Sequence, residues 1–310
     1  MKLNHISLMA VTLLPLPLAA ATGDLYVSYG QSSGAVSGYT GGVANGVTYS
    51  AALSYPAGLA FDSFGNLYVA NYGNNTIYQY TPATPGGVRS TVISVNQPTT
   101  LAFNNAGTLY YANYSSGFGS VYVLGSSTPL FSIGLGANDY DMGLACNSAG
   151  VLFASYGDGL YQIAPNGIPS PFIAGLSGSS GFVTAQSLAF DANDNLYIAL
   201  IDTRSGSSIQ VCDPGGNLTP FTSLSGITIS ALAFDDDGNL FVASVNTGEV
   251  LEFKNNGGIL DATPTTYLSG LNSPAGLAFV PPAPVPEPSV LALLAVSGAA
   301  WLGFRRRKKH

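Results

Sequence analysis

Histidine is nearly absent from this chain. The two present, His5 and His310, lie close to its ends, and nothing between them can supply an imidazole. That removes Ser-His-Asp and Cys-His nucleophilic arrangements and a histidine general acid or base from the body of the protein. Charge is scarce as well. Asp, Glu, Lys and Arg make up 8% of the residues, against roughly 25% in an average soluble domain. Setting aside Lys2, Glu287 and the basic run Arg305 to Lys309, only Arg89, Arg204 and Lys254 remain against fifteen acidic residues, a net charge near −12. A nucleic-acid partner is excluded, because nothing would neutralise the phosphates. There are two cysteines, and no segment from Gly23 to Pro281 carries the apolar period of a long helix.

Against these absences stands a repeat. A short phrase occurs at Leu59-Ala60-Phe61, Leu101-Ala102-Phe103, Leu144-Ala145-Cys146, Leu188-Ala189-Phe190, Leu232-Ala233-Phe234 and Leu277-Ala278-Phe279, at spacings of 42, 43, 44, 44 and 45 residues. Such a period belongs to four-stranded blades and not to the common helical repeats. In the first five copies a second phrase follows, its Leu eight residues after the first: Leu67-Tyr68-Val69, Leu109-Tyr110-Tyr111, Leu152-Phe153-Ala154, Leu196-Tyr197-Ile198 and Leu240-Phe241-Val242. The turn residues between the phrases, such as Asp62 to Asn66 and Asp235 to Asn239, make each pair a hairpin. Third and fourth apolar runs follow, as at Thr76 to Tyr80 and Thr91 to Val95, so each repeat reads as a four-stranded antiparallel meander.

The sixth copy stops at Pro281-Pro282, and its missing strands lie at the other end of the chain. Leu25-Tyr26-Val27 is a second phrase with no first phrase before it, followed by candidates at Ala35 to Tyr39 and Val47 to Ala52. Pairing the C-terminal strand with these three closes a ring with no free sheet edge. The sequence thus predicts an all-β, six-bladed β-propeller over residues 22–280. Its inner strands are continuous apolar runs, as expected where both faces of a sheet are covered.

The ends carry addresses. Lys2, the apolar stretch Ile6 to Leu18 and the small residues Ala19-Ala20-Ala21 form a secretory signal peptide over residues 1–21. At the far end come a proline-rich linker (281–288), an apolar segment expected to cross the membrane (289–304) and a basic tail (305–310) expected to stay cytoplasmic. The ordered set of Pro286-Glu287-Pro288, a short apolar span and a basic end resembles the PEP-CTERM sorting signal of Gram-negative bacteria. That resemblance implies processing by the membrane enzyme exosortase, and delivery to the cell surface, the extracellular matrix or the medium after a transient membrane-anchored stage. The body, through Tyr55-Pro56-Ala57-Gly58-Leu59-Ala60-Phe61-Asp62, then Gly65 to Asn71, then Gly73 to Ile77, resembles NHL-type propellers, with Asn71 where such repeats usually carry Asp.

Candidate chemistry is sparse. Some propellers that resemble the NHL type are metal-dependent lactonases with carboxylate and amide ligands in the central channel. Here the residues two before each phrase Leu, expected at the channel, are Ala57, Thr99, Met142, Gln186, Ser230 and Ala275. A hard cation wants several oxygens, usually with more than one carboxylate, which leaves Asp139, Asp141 and Gln186 as the candidate ligands for calcium or another divalent ion. The run Asp235-Asp236-Asp237-Gly238-Asn239 has the look of a calcium loop, but Asn104 to Gly107 and Asn147 to Gly150 hold the same hairpin position, which favours turn chemistry. Tyr29, Tyr72, Tyr114 and Tyr156 follow the second strands of four neighbouring blades, on the face of the blade-to-blade connections. They form a candidate arc of rings for stacking, the alternative being packing between blades. Cys146 and Cys212 are expected to be free, because two strand spacings of ~4.8 Å plus an inter-blade gap exceed disulfide reach.

The sequence therefore points to an exported, surface or matrix-associated, non-catalytic propeller that binds a polysaccharide or a protein. The alternatives are a metal-dependent lactonase or esterase working in the channel, and a display scaffold without a defined ligand.

Overall fold

The structure, a computed structural model, describes residues 23–49, 53–81, 88–115, 118–134, 142–156, 159–164, 167–173, 175–176, 183–202 and 206–282. The expected signal peptide and the segments from the sorting motif onward lie outside these residues.

Hairpin turns set the blades. In the first, the Asp62 carboxylate accepts the N–H groups of Phe64 and Asn66 (both 2.9 Å) and the Asn66 side-chain amide (2.7 Å), while Gly65 N–H donates to the Asp62 carbonyl (3.0 Å). Gly65 sits at φ 79°, a conformation that favours glycine. The clasp recurs from Asp191 to Asn195, Asp213 to Asn217 and Asp235 to Asn239. Asn104 and Asn147 play the Asp62 part in two more turns. These side chains satisfy backbone donors locally, which is why Asp and Asn recur there.

Among the described residues, six four-stranded antiparallel sheets form. Five are sequential meanders, within residues 56–94, 98–134, 144–173, 183–224 and 229–268, called here the first to fifth blades. The closing blade joins the inner strand Pro274–Phe279 to Leu25–Tyr29, Val36–Thr40 and Val43–Tyr49. Its register sets Leu25 opposite Phe279, Tyr26 opposite Ala278 and Val27 opposite Leu277. Beyond the strand ends, Val280 N–H donates to the Asp24 carbonyl (3.0 Å). The expected fold and its mode of closure are therefore observed.

The core lies between blades. Successive strand side chains point to opposite faces, so Leu25 and Val27 pack with Phe241 and Ala243 of the fifth blade, while Tyr26 packs with Leu59, Leu67 and Tyr78 of the first. In five of the six blades the inner strand ends in a Phe that meets an aromatic ring on the second strand of the preceding blade. The pairs Tyr26–Phe61, Tyr68–Phe103, Phe153–Phe190, Tyr197–Phe234 and Phe241–Phe279 stand 4.8–5.2 Å apart at interplanar angles of 61–73°. Edge-to-face contact of this kind adds about 0.5–1.5 kcal/mol to the burial of the rings.

Strand direction defines two faces. Each inner strand starts on the upper face, with the blade-to-blade connections, and ends on the lower face, with the hairpin turns just described. Both ends of the propeller, Leu25 and Phe279, lie at the lower face.

Candidate functional site

Six inner strands surround a cavity of ≈ 380 Å³ on the axis. Ala57, Thr99, Met142, Gln186, Ser230 and Ala275, the residues two before each phrase Leu, all line it. The phrase leucines Leu59, Leu101, Leu144, Leu188, Leu232 and Leu277 line it too, and Gly30, Thr228, Val245 and Ser273 stand at its upper edge. Among the described residues the cavity is a cup lined by the upper halves of the inner strands and lying toward the upper face.

Close convergence of the inner strands explains the small residues before the leucines. A Cβ on Gly276 would lie 2.3 Å from the Ala57 carbonyl oxygen, and one on Gly58 would lie 2.7 Å from Thr100 Cα. Serine hydroxyls join neighbouring blades at the same level. Ser28 Oγ accepts from Gly276 N–H (2.8 Å) and donates to the Ala57 carbonyl (2.6 Å). Ser155 Oγ does the same between Gly143 N–H (2.8 Å) and the Ala185 carbonyl (2.6 Å). Ser187 Oγ accepts from Leu232 N–H (3.0 Å), and Ser230 Oγ donates to the Pro274 carbonyl (2.6 Å). Edge peptide groups that would otherwise be buried without partners are satisfied in this way.

The described lining is neutral: hydroxyls of Thr99, Thr100, Ser187, Thr228, Ser230 and Ser273, the Gln186 amide, the Met142 thioether and aliphatic carbon. It offers hydrogen bonds in both directions and no charge. Of the candidate metal ligands, Gln186 lines the cup, while Asp139 and Asp141 lie outside the described residues. Among the described residues no three His, Cys, Asp or Glu side chains come together to hold a metal. In the triple-aspartate turn, Asp235 uses both carboxylate oxygens on Asn239 (2.8 Å each). The Asp236 carboxyl is raised by burial and then by its neighbours Asp235 and Asp237.

The four tyrosines lie at the upper ends of second strands, and all are half-buried. They do not hold equivalent places. Tyr29 opposes Pro274, the position filled by Asn71 opposite Pro56 and Asn113 opposite Pro98, so Tyr72 and Tyr114 come one residue later. Tyr156, like Tyr29, is four residues after its phrase Leu. The Tyr29 ring packs into the interface with the fifth blade, and its hydroxyl pairs with that of Tyr39. Burial and then this bond raise the Tyr39 phenol. Tyr72 opens a single 3-10 turn, Tyr72–Asn74. Sequence reasoning placed the channel residues but missed the hydroxyls of Thr100, Ser187, Thr228 and Ser273. Their signal was position: one before the phrase Leu, or in the connection that precedes it.

Both cysteines are free. Burial pushes the Cys146 thiol up to about 12 and the Cys212 thiol, with help from Asp213, up to about 11, which keeps both protonated at neutral pH.

Residues 284–308 match the PEP-CTERM protein-sorting motif. The chain carries a PEP-CTERM sorting signal. Such a signal marks a protein for export, supplies a membrane-anchored sorting stage and is processed by exosortase. No curated protein matches the sequence. In shape, this chain is similar to a chain of the nidogen/laminin complex (TM-score 0.63, 15% identity, 83% of this chain and 98% of that one). It is also similar to the PQQ-bound aldose sugar dehydrogenase of Streptomyces coelicolor (0.59, 16%, 83% and 89%) and to a streptogramin B lyase (0.57, 12%, 87% and 93%). At these identities the likeness is one of fold. Among the described residues, no helix is long and apolar enough to cross a membrane.

Proposed function

We propose that this protein is a non-catalytic binding module of the cell surface or extracellular matrix of a Gram-negative bacterium, recognising a surface polysaccharide, or failing that a protein, through its upper face. The observation that carries the reading is the neutral lining that the described residues give the cup, whose hydroxyls and Gln186 amide match the hydrogen-bonding of an uncharged, hydroxyl-rich chain end. At ≈ 380 Å³ it lies at the small end of ligand cavities. Tyr72, Tyr114 and Tyr156 at the upper strand ends add half-buried rings for stacking, with Tyr29 supporting them from the interface. Export and exosortase processing by way of Pro286, Glu287 and Pro288 would deliver such a module to where polysaccharide is found. The NHL-type resemblance of the first blade fits the same picture.

A glycan array probed with the processed, exported protein, with and without calcium, tests this. Binding to neutral glycans that falls severalfold in Gln186→Ala supports the reading. An empty array leaves a protein ligand or simple display, which a pull-down from the bacterium's own matrix separates. The hydrolase reading rests on one observation, that Met142 and Gln186 both line the cup while Asp141 directly precedes Met142 in the chain. Divalent-dependent hydrolysis of lactones or esters that is lost in Asp141→Asn would establish it instead.

A further inference from the structure

The inner strand of the closing blade ends at Phe279, on the lower face and beside the axis, since its Gly276 and Leu277 line the cup. The tail therefore leaves from the centre of the lower face, opposite the cup. We propose that, while the tail is held in a bilayer, the propeller cannot turn its upper face against the membrane, so the cup is open to the exterior before processing as well as after. This rests on the reading of residues 289–304 as the membrane segment.

Distances carry the proposal. Seven residue steps separate Pro282 from Ser289, and seven steps can span at most ~25 Å however the chain runs. The headgroup layer takes up ~5–7 Å of that. To turn the upper face toward the bilayer, the linker must run from the axis to the rim and then past the edge of the disc. Three strand spacings of ~4.8 Å separate the inner strand from the outermost, and a six-residue strand is ~20 Å long, so the path is roughly 35 Å. The linker is too short by more than a third of that path, so tilting is allowed and inversion is not.

Lipid contact does not set this orientation. The lower face carries the turn carboxylates Asp62, Asp191, Asp213 and Asp235 to Asp237. Beside anionic headgroups, they make the face stand off instead of adhering. The tether alone keeps the upper face off the membrane.

The test uses the full unprocessed chain in phosphatidylethanolamine/phosphatidylglycerol vesicles carrying a headgroup-bound energy acceptor. Fluorophores are placed at Phe64→Cys on the lower face or Phe118→Cys on the upper face, sites where the native rings are 77% and 54% exposed. Cys212 is buried but Cys146 only half-buried, so both are first replaced by serine. With a disc ~20 Å thick, quenching at position 64 should be at least about twofold stronger than at 118. A Gly-Ser insert of about twelve residues after Pro282, adding roughly 20 Å of reach, should narrow the gap. Equal quenching in the original chain, or a gap that the insert leaves unchanged, would overturn the tether argument. Failure of the chain to float with the vesicles would overturn the membrane reading instead, and the proposal with it.

Discussion

The Phe279 ring stands edge-on to that of Phe241 at 4.8 Å and 61°, joining the last strand of the propeller to the second strand of the fifth blade. The same contact links four other neighbouring pairs of blades. Between the second and third it is broken. There Cys146 stands where the other inner strands carry Phe, facing Tyr110, and a cavity of ≈ 40 Å³ lies between Tyr110 and Leu152, the strand partner of Cys146.

Restoring the missing ring should therefore stabilise the fold. Cys146→Phe is expected to add about 0.5–1.5 kcal/mol through the pair with Tyr110, read as a higher urea midpoint with an unchanged slope. A fall of about 1–3 kcal/mol would mean that the gap cannot open enough and the site is overpacked.

Ring closure predicts an asymmetry between ends and loops. Deleting Gly276 to Val280 removes the inner strand of the closing blade and exposes an edge, and it should abolish cooperative unfolding. The milder Leu277→Ala, at a buried position of the same strand, should cost about 2–5 kcal/mol, as other large-to-small core changes do. Melting temperatures within a degree or two of the parent would contradict closure by this strand.

Alkaline pH should unfold the protein over a defined window. Burial pushes the phenols of Tyr26, Tyr111 and Tyr197 from the ordinary value of 10 up to about 12. A raised folded value means that stability is complete below pH 10, where both states hold the proton. It is then lost as pH rises toward 12, because the unfolded chain ionises first. Urea midpoints measured from neutral pH upward should hold level and then drop through that range; a level profile to pH 12 would refute the link.

Replacing Pro286, Glu287 and Pro288 with alanines should leave an anchored precursor, because the apolar segment and basic end remain while the processing signal is lost. Mass spectrometry of surface material should find peptides ending at His310 in the variant only. Finding them in the wild type as well would show that the tail is not processed.

Architecture was legible because it is local and repeated. The Leu-Ala-Phe phrase, its partner eight residues on and the Asp-Asn turns each specify a hairpin by themselves, and six copies fix the period. The unmatched phrase at Leu25 pointed to its partner at Leu277. Even the channel residues could be counted off from each phrase Leu, since strand register carries position along with it. The tyrosines were harder. Ser28-Tyr29-Gly30 and Asn71-Tyr72-Gly73 look alike as strings, yet pairing with Pro274 and Pro56 sets Tyr29 level with Asn71. A one-residue offset in a strand sends side chains to different surroundings.

The sequence by itself thus determined the blade, the number of blades, the closure and the sorting address, because each rests on neighbours a few residues apart or on a recurring interval. Only the tertiary structure decided what the blades make together: the cup with its neutral described lining, the serine bridges from Ser28 to Ala57 and from Ser155 to Ala185, and the gap between Tyr110 and Leu152. Those features arise where six converging strands meet across contacts some thirty or forty residues apart, and no single repeat contains the packing that sets them.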